Sequence, residues 1–283
     1  MSSLKAWITA GRFFTAPWIL VNTFLGVKLA GFIFEAWMLS FAIVFSILIA
    51  SHYMNAWRDY VRGFDRVEEG SKAKPYTAAS QLIPRGEFTV TEAKAATLGW
   101  LLIAIGLFIA FAPKRLDTVA LLLLGIFVAT TYTDLFKPHG LGEIALFLGH
   151  GFSACTFAYA IVRPITIEAI AVGCILGLWA GIAYTIDQWQ DVETDFARRV
   201  KNYAYIVAKA NMRISMFYYF AVTAIVTMHI GCVLIGWLPS STLKVLLLLP
   251  LYHFTGVLLD YQFEKGTIVA LIGMWLYPIL MAV

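Results

Sequence analysis

The stretch Asp187-Gln-Trp-Gln-Asp191-Val-Glu-Thr-Asp195 closes an otherwise uncharged run from Ala169 to Ile186 and carries carboxylates at four-residue spacing. Four residues advance about 40° beyond a full α-helical turn, so Asp187, Asp191 and Asp195 are expected along one stripe of the last turns of a helix. Carboxylates that close repel one another, and at the edge of a bilayer they take up protons unless a cation holds them ionised. A second acidic element, Asn55-Ala-Trp-Arg-Asp59-Tyr-Val-Arg-Gly63-Phe-Asp65, ends the uncharged segment from Ala36 to Trp57. Asn55 and Asp59 share a helix face, and Gly63 is placed to end the helix so that Asp65 arrives from a turn. Hard oxygen donors in this number suit magnesium, which keeps several waters and completes its shell with substrate phosphates. Two such clusters facing each other would clamp a diphosphate through Mg2+ bridges.

The elements that must position these motifs are membrane helices. Of the 283 residues 60% are hydrophobic and only 13% charged, a balance that belongs to the membrane class. A span needs about 20 mostly apolar residues. The chain offers nine such runs, near 13–34, 36–57, 92–112, 117–135, 141–162, 166–187, 214–236, 243–260 and 266–283. The expected fold is therefore an all-α integral membrane domain over residues 1–283, nine transmembrane helices around a central cavity, with cap loops at 58–91 and 188–213. The first run is long enough to span and is read as a retained helix rather than a cleaved signal. With the N-terminus cytoplasmic, all but five of the 21 Lys and Arg residues (Lys28, Lys114, Arg115, Arg163 and Lys244) lie at inside ends and loops. The positive-inside bias thus puts the C-terminus outside and both acidic motifs on the cytoplasmic face. The net charge of +4 is small and follows from this arrangement, so it points to no nucleic-acid partner. Cys155, Cys174 and Cys232 sit inside spans without paired spacing and read as apolar fillers.

Basic residues surround the motifs. The loop Arg66-Val-Glu-Glu-Gly-Ser-Lys72-Ala-Lys74-Pro75 is either a solvated face or a cap that presents Arg66, Lys72 or Lys74 to phosphate oxygens. Arg12 either snorkels at its span end or meets an anionic group in a cavity. Lys137 falls on the same side, in Tyr132-Thr133-Asp134-Leu-Phe-Lys137-Pro138-His139-Gly140, and Lys201 follows the second motif. Glu143 opens the fifth span, where a carboxylate serves equally as a cap for the positive helix end or as a catalytic acid. His52, His150, His229 and His253 are isolated within spans and read as packed or hydrogen-bonded polar residues. The second and sixth spans run the same way and end in acidic motifs on the same face, which suggests a four-helix unit used twice.

Two aspartate-rich motifs at cytoplasmic helix ends in a chain of nine spans resemble the UbiA superfamily of intramembrane prenyltransferases, and the resemblance covers essentially the whole chain. The pattern Asn55-x-x-x-Asp59-x-x-x-Gly63-x-Asp65 with its Gly-Ser-basic-Pro loop, the Gly142-Glu143 pair and Asp187 to Asp195 look most like the branch that prenylates dihydroxynaphthoate on the route to menaquinone. The resemblance implies an isoprenyl-synthase-like helix bundle whose cavity opens sideways to membrane lipid and takes an allylic prenyl diphosphate donor. It implies that Asn55, Asp59 and Asp65 hold one magnesium and that Asp191 and Asp195, with Asp187, hold another, with Asp59 and Asp191 central to catalysis. By the same likeness Lys74 would bind the diphosphate, and Tyr132 would stand near the reacting carbon. Arg12, Arg66, Lys72, Lys137 and Lys201 are the further cations placed to meet it. The chain departs from the family pattern at Ala56, where an acid is common, at 199–202, and at Gly149-His150-Gly151, where a Gly-Pro pair is common.

Magnesium and lysines would neutralise a departing diphosphate, and a dry cavity walled by aromatic residues would shelter the allylic cation until a small lipophilic or aromatic acceptor attacks. The alternatives are an intramembrane terpene cyclase, a prenyltransferase for a non-aromatic lipid, and a cation-coupled transporter. Transporters place carboxylates near mid-membrane on broken helices; these lie at span ends beside basic loops.

Overall fold

The computed structural model describes residues 2–64, 78–192 and 202–283, and these are helical with short connections. Among them, nine helical segments are long and apolar enough to cross a membrane: Phe13–Gly31, Phe34–Val61, Val90–Phe111, Leu116–His139, Gly142–Val162, Ile167–Trp189, Ile214–Leu234, Ser240–Tyr261 and Phe263–Ala282. Each lies within a few residues of an expected run. The second extends beyond its apolar stretch to Val61, so Asn55 and Asp59 stand on the helix itself rather than in the loop. It ends as Gly63 allows. The Gly63 N–H bonds the Tyr60 carbonyl and the Phe64 N–H bonds the Asp59 carbonyl, a Schellman pair that needs the left-handed φ of 74° that glycine adopts without strain.

The sixth span departs from expectation. Its α-helix stops at Trp189, and Asp191 lies in the turn beyond, its N–H bonded to the Gln188 carbonyl. The single stripe expected of Asp187, Asp191 and Asp195 is therefore broken after Asp187, and Asp195 lies outside the described residues. The cause is local: the Gln190 side chain donates to the Asp187 carbonyl, satisfying one of the orphan acceptors of a helix end and favouring termination there.

The fourth and fifth spans are also irregular. Tyr132–Phe136 and Phe147–Ser153 are wound as π-helix, and between them Lys137–His139 forms a tight turn closed by Gly140 at φ 70°. Wide turns of this kind re-aim side chains and concentrate at functional positions.

Glycines let the central helices touch backbone to backbone. A Cβ added at Gly26 would lie 2.2 Å from the Cys155 carbonyl, and one at Gly151 would lie 2.3 Å from the backbone of Gly177. The first span is thus pressed on the fifth and the fifth on the sixth, the packing that small residues permit in membrane bundles. Neither contact has a flexible side chain to give way. Gly26→Leu is accordingly expected to lower stability by at least the ~1–3 kcal/mol typical of overpacking. In detergent it should unfold at a clearly lower temperature than wild type, whereas Gly99→Leu, where an added Cβ meets nothing, should not.

Around this centre the last three spans form a wall. Trp179 of the sixth span packs on Tyr252 and Tyr277, at ring-centre distances of 5.1 and 5.4 Å. His229 is buried between the Tyr277 hydroxyl at 2.6 Å and the Thr242 hydroxyl at 2.8 Å, a satisfied core histidine as its isolation in the sequence suggested. Large apolar side chains that stay exposed, among them Leu98, Leu102, Ile109 and Phe220, form the outward face expected toward lipid.

Candidate active site

Asp59 is buried to 3% exposure at the end of the second span. Its Oδ2 accepts a hydrogen bond of 2.7 Å from Lys137 Nζ, delivered by the tight turn that ends the fourth span. Its Oδ1 is buried and has no hydrogen-bond partner among the described residues. One turn earlier, Asn55 Oδ1 accepts from the Thr133 hydroxyl at 2.8 Å. The fourth span's last turns therefore lie directly against the first motif. They supply it with a cation and with an orienting hydroxyl.

Asp134, on the same π-turn, pairs with Arg58 and with Arg62, the latter at 2.7 Å. The structure gives them to Asp134, a residue whose neighbours Tyr132 and Lys137 drew attention when it did not. The available signal was its position between Tyr132 and Lys137 in a stretch polar enough to interrupt a span.

The second motif is reached through a pair of tyrosines. The hydroxyls of Tyr132 and Tyr184 are 2.6 Å apart. Tyr132 lies in the electrostatic field of Asp59, Glu143 and Arg12, and Tyr184 in that of Glu143 and Asp187. The fourth span is thus joined near one end to the second span, through Lys137 and Asp59, and to the sixth span, through Tyr132 and Tyr184. Among the described residues no three His, Cys, Asp or Glu side chains cluster closely enough to form a metal-binding group by themselves. The third expected ligand of each motif, Asp65 and Asp195, lies outside the described residues, as do Arg66, Lys72, Lys74 and Lys201.

Glu143 does something neither expected reading named. It is 4% exposed, and its Oε1 accepts from the Thr185 hydroxyl and, at 2.9 Å, from the backbone N–H of Tyr203. Tyr203 is the first residue of the helix Tyr203–Lys209, whose other start-point N–H, that of Tyr205, is capped by Asn202. Glu143 caps a helix more than fifty residues away as well as opening its own. No local pattern announces such a partner.

Arg12 adopts a left-handed backbone, φ 48°, where a side chain other than glycine is uncommon. Among the described residues its guanidinium has no ion-pair or hydrogen-bond partner, yet its charge reaches both His52 and Tyr132.

Below Tyr132 lies an apolar cavity of about 70 Å³. Its wall is built by the first, second, fourth and fifth spans, with Ile19, Ile47, Leu121, Val128 and Phe157 among its lining and Tyr132 at one end. Tyr132 is in this way shared between the charged end and the apolar interior. Tyr132→Phe would remove one hydroxyl from the Tyr184 pair but leave the ring in the wall. Turnover is expected to fall only about three- to tenfold, the size of one ordinary hydrogen bond, and Tyr132→Ala should cost more.

Carboxylates gathered beside cations, at the mouth of a greasy chamber between helices, define a membrane enzyme class whose substrate has an anionic head and an apolar tail. The chain belongs to the UbiA prenyltransferase family, whose family model matches residues 19–266, and it is accordingly a membrane prenyltransferase. Solved structures share its fold over nearly the whole length. A UbiA homolog from Archaeoglobus fulgidus bound to GPP and Mg2+ has a TM-score of 0.69 at 14% identity, covering 98% of this chain and all of that one. The apo UbiA homolog from Aeropyrum pernix K1 gives 0.69 at 17% identity, with 99% and 97% covered. A digeranylgeranylglyceryl phosphate synthase gives 0.66 at 16% identity, again with 99% and 97% covered. No curated protein matches the chain.

Proposed function

We propose that this protein transfers a prenyl group from an allylic polyprenyl diphosphate to a small aromatic quinone precursor, with magnesium holding the diphosphate between the two acidic motifs. The observation that carries the reading is Asp59: a buried carboxylate with one oxygen on Lys137 and the other unpartnered among the described residues, on a helix that the fourth span links to the motif-bearing sixth span through Tyr132 and Tyr184. An unpaired buried carboxylate oxygen is costly. A hard divalent cation satisfies it, and the oxygen-rich donor set of Asn55, Asp59, Asp187 and Asp191, completed in the sequence by Asp65 and Asp195, is the kind magnesium takes. The homolog bound to GPP and Mg2+ adds weight to that assignment.

Bound magnesium would supply positive charge against the departing diphosphate. Lys137 and Arg12 add fixed charge from the protein side, and Lys72, Lys74, Arg66 and Lys201 are the further candidates from the sequence. The apolar cavity would hold the near end of the prenyl tail and keep water from the allylic cation, while the ring of Tyr132 offers a π-face to it. The whole chain acts as one domain in this reading. The positive-inside bias sets its motif end toward the cytoplasm, where both substrates' polar groups would enter.

The test is turnover in nanodiscs with labelled prenyl diphosphate, magnesium and a panel of acceptors. Prenylated hydroxyaromatic product is the expected result. Product only with a glyceryl phosphate would overturn the acceptor class, hydrocarbon or alcohol released without acceptor would indicate a cyclase, and absence of magnesium-dependent diphosphate binding would overturn the reading entirely.

A further inference from the structure

We infer that His150 is the residue that selects the acceptor, by hydrogen-bonding a phenolic hydroxyl of the acceptor inside the cavity; the inference rests on the transferase reading above. The cavity wall holds four side chains able to hydrogen-bond: Ser51, Ser153, Tyr132 and His150. Three are committed. The Ser51 hydroxyl donates to the Leu48 carbonyl, the Ser153 hydroxyl to the Gly149 carbonyl, and the Tyr132 hydroxyl is engaged with Tyr184. The imidazole of His150 has no hydrogen-bond partner among the described residues; its one ring contact is with His52, edge to face at 6.4 Å between ring centres. A polar ring placed in an apolar wall without a partner costs free energy unless a ligand completes it.

The placement is fixed by its surroundings. His150 sits in the π-turn Phe147–Ser153, whose backbone is held from one side by the buried Asn22 amide, bonded to the His150 carbonyl at 3.0 Å. From the other side Gly151 is pressed on the Gly177 backbone. His52 stands behind it in a defined state. The Thr15 hydroxyl donates to the Arg12 carbonyl at 2.9 Å and so accepts from His52 Nε2 at 3.2 Å. The neutral imidazole of His150 offers one donor and one acceptor, the pair a phenolic hydroxyl uses. Its place on the wall below Tyr132 puts an acceptor held there on the tail side of the diphosphate, where the reacting carbon lies in the transferase reading.

The experiment measures binding of a hydroxyaromatic acid and of its methyl ether to the protein in nanodiscs, alongside magnesium-dependent binding of prenyl diphosphate. For His150→Phe, affinity for the hydroxyaromatic acid should fall about tenfold, the size of one ordinary hydrogen bond, with prenyl diphosphate binding unchanged. His150→Gln, which keeps a donor and an acceptor, should restore most of it, and in turnover the change should appear in the acceptor KM rather than the donor KM. Equal affinity in wild type and His150→Phe, or wild type that binds the ether as well as the acid, would overturn the assignment even with donor binding intact. Loss of donor binding in the wild type would instead overturn the transferase reading.

Discussion

Asp59→Asn should leave the protein folded and nearly inactive, with kcat/KM lowered by about 10²–10³-fold, the range seen when one preorganised electrostatic group is removed from an active site. The amide matches the carboxylate in size, so the buried site keeps its packing, and Lys137 keeps an oxygen to donate to at the position of Oδ2. What disappears is the negative charge and the second oxygen that a cation would take. Magnesium titration of prenyl diphosphate binding is the diagnostic measurement: the variant should need far more magnesium than wild type. A variant with normal magnesium dependence would show that Asp59 serves only to hold the fourth span against the second.

Lys137→Gln is expected to be the next most severe, and for two separable reasons. The ammonium contributes fixed positive charge at the motif end, so kcat/KM should drop by about 10²-fold. It also neutralises a carboxylate that is 4% exposed, and removing one partner of a buried pair costs up to roughly 3–5 kcal/mol because the other is left uncompensated. The partly exposed lysine end places this case at the lower part of that range. Combining Lys137→Gln with Asp59→Asn should recover thermal stability but no activity. Additive stability losses in the double variant would show that the pair is not coupled.

Much of this was legible in the amino-acid order because the bilayer imposes a strong constraint: every span must be apolar for about 20 residues, and a charge inside is expensive. The nine runs, and Asn55 and Asp59 on one helix, follow from that. The sixth-span stripe did not survive, since whether a helix continues through Gln190 depends on one side chain finding the Asp187 carbonyl, a competition that spacing does not report. The links Glu143 to Tyr203, Lys137 to Asp59 and Asp134 to Arg58 were hidden for another reason. Each joins elements between 60 and 78 residues apart, and which acid meets which base is decided by helix packing and by the π-turns, not by any local pattern. His150 looked like one of several isolated histidines; only the cavity separates it from His229, whose two partners are already in place.

The bond from Glu143 to Tyr203 pins the helix Tyr203–Lys209 to the start of the fifth span. Gln188 and Asn202 also meet, Oε1 to Nδ2 at 3.5 Å, so the chain departs from and returns to one spot. Loss of Glu143 should therefore free the start of that helix, although Glu143 and Tyr203 lie sixty residues apart in the chain.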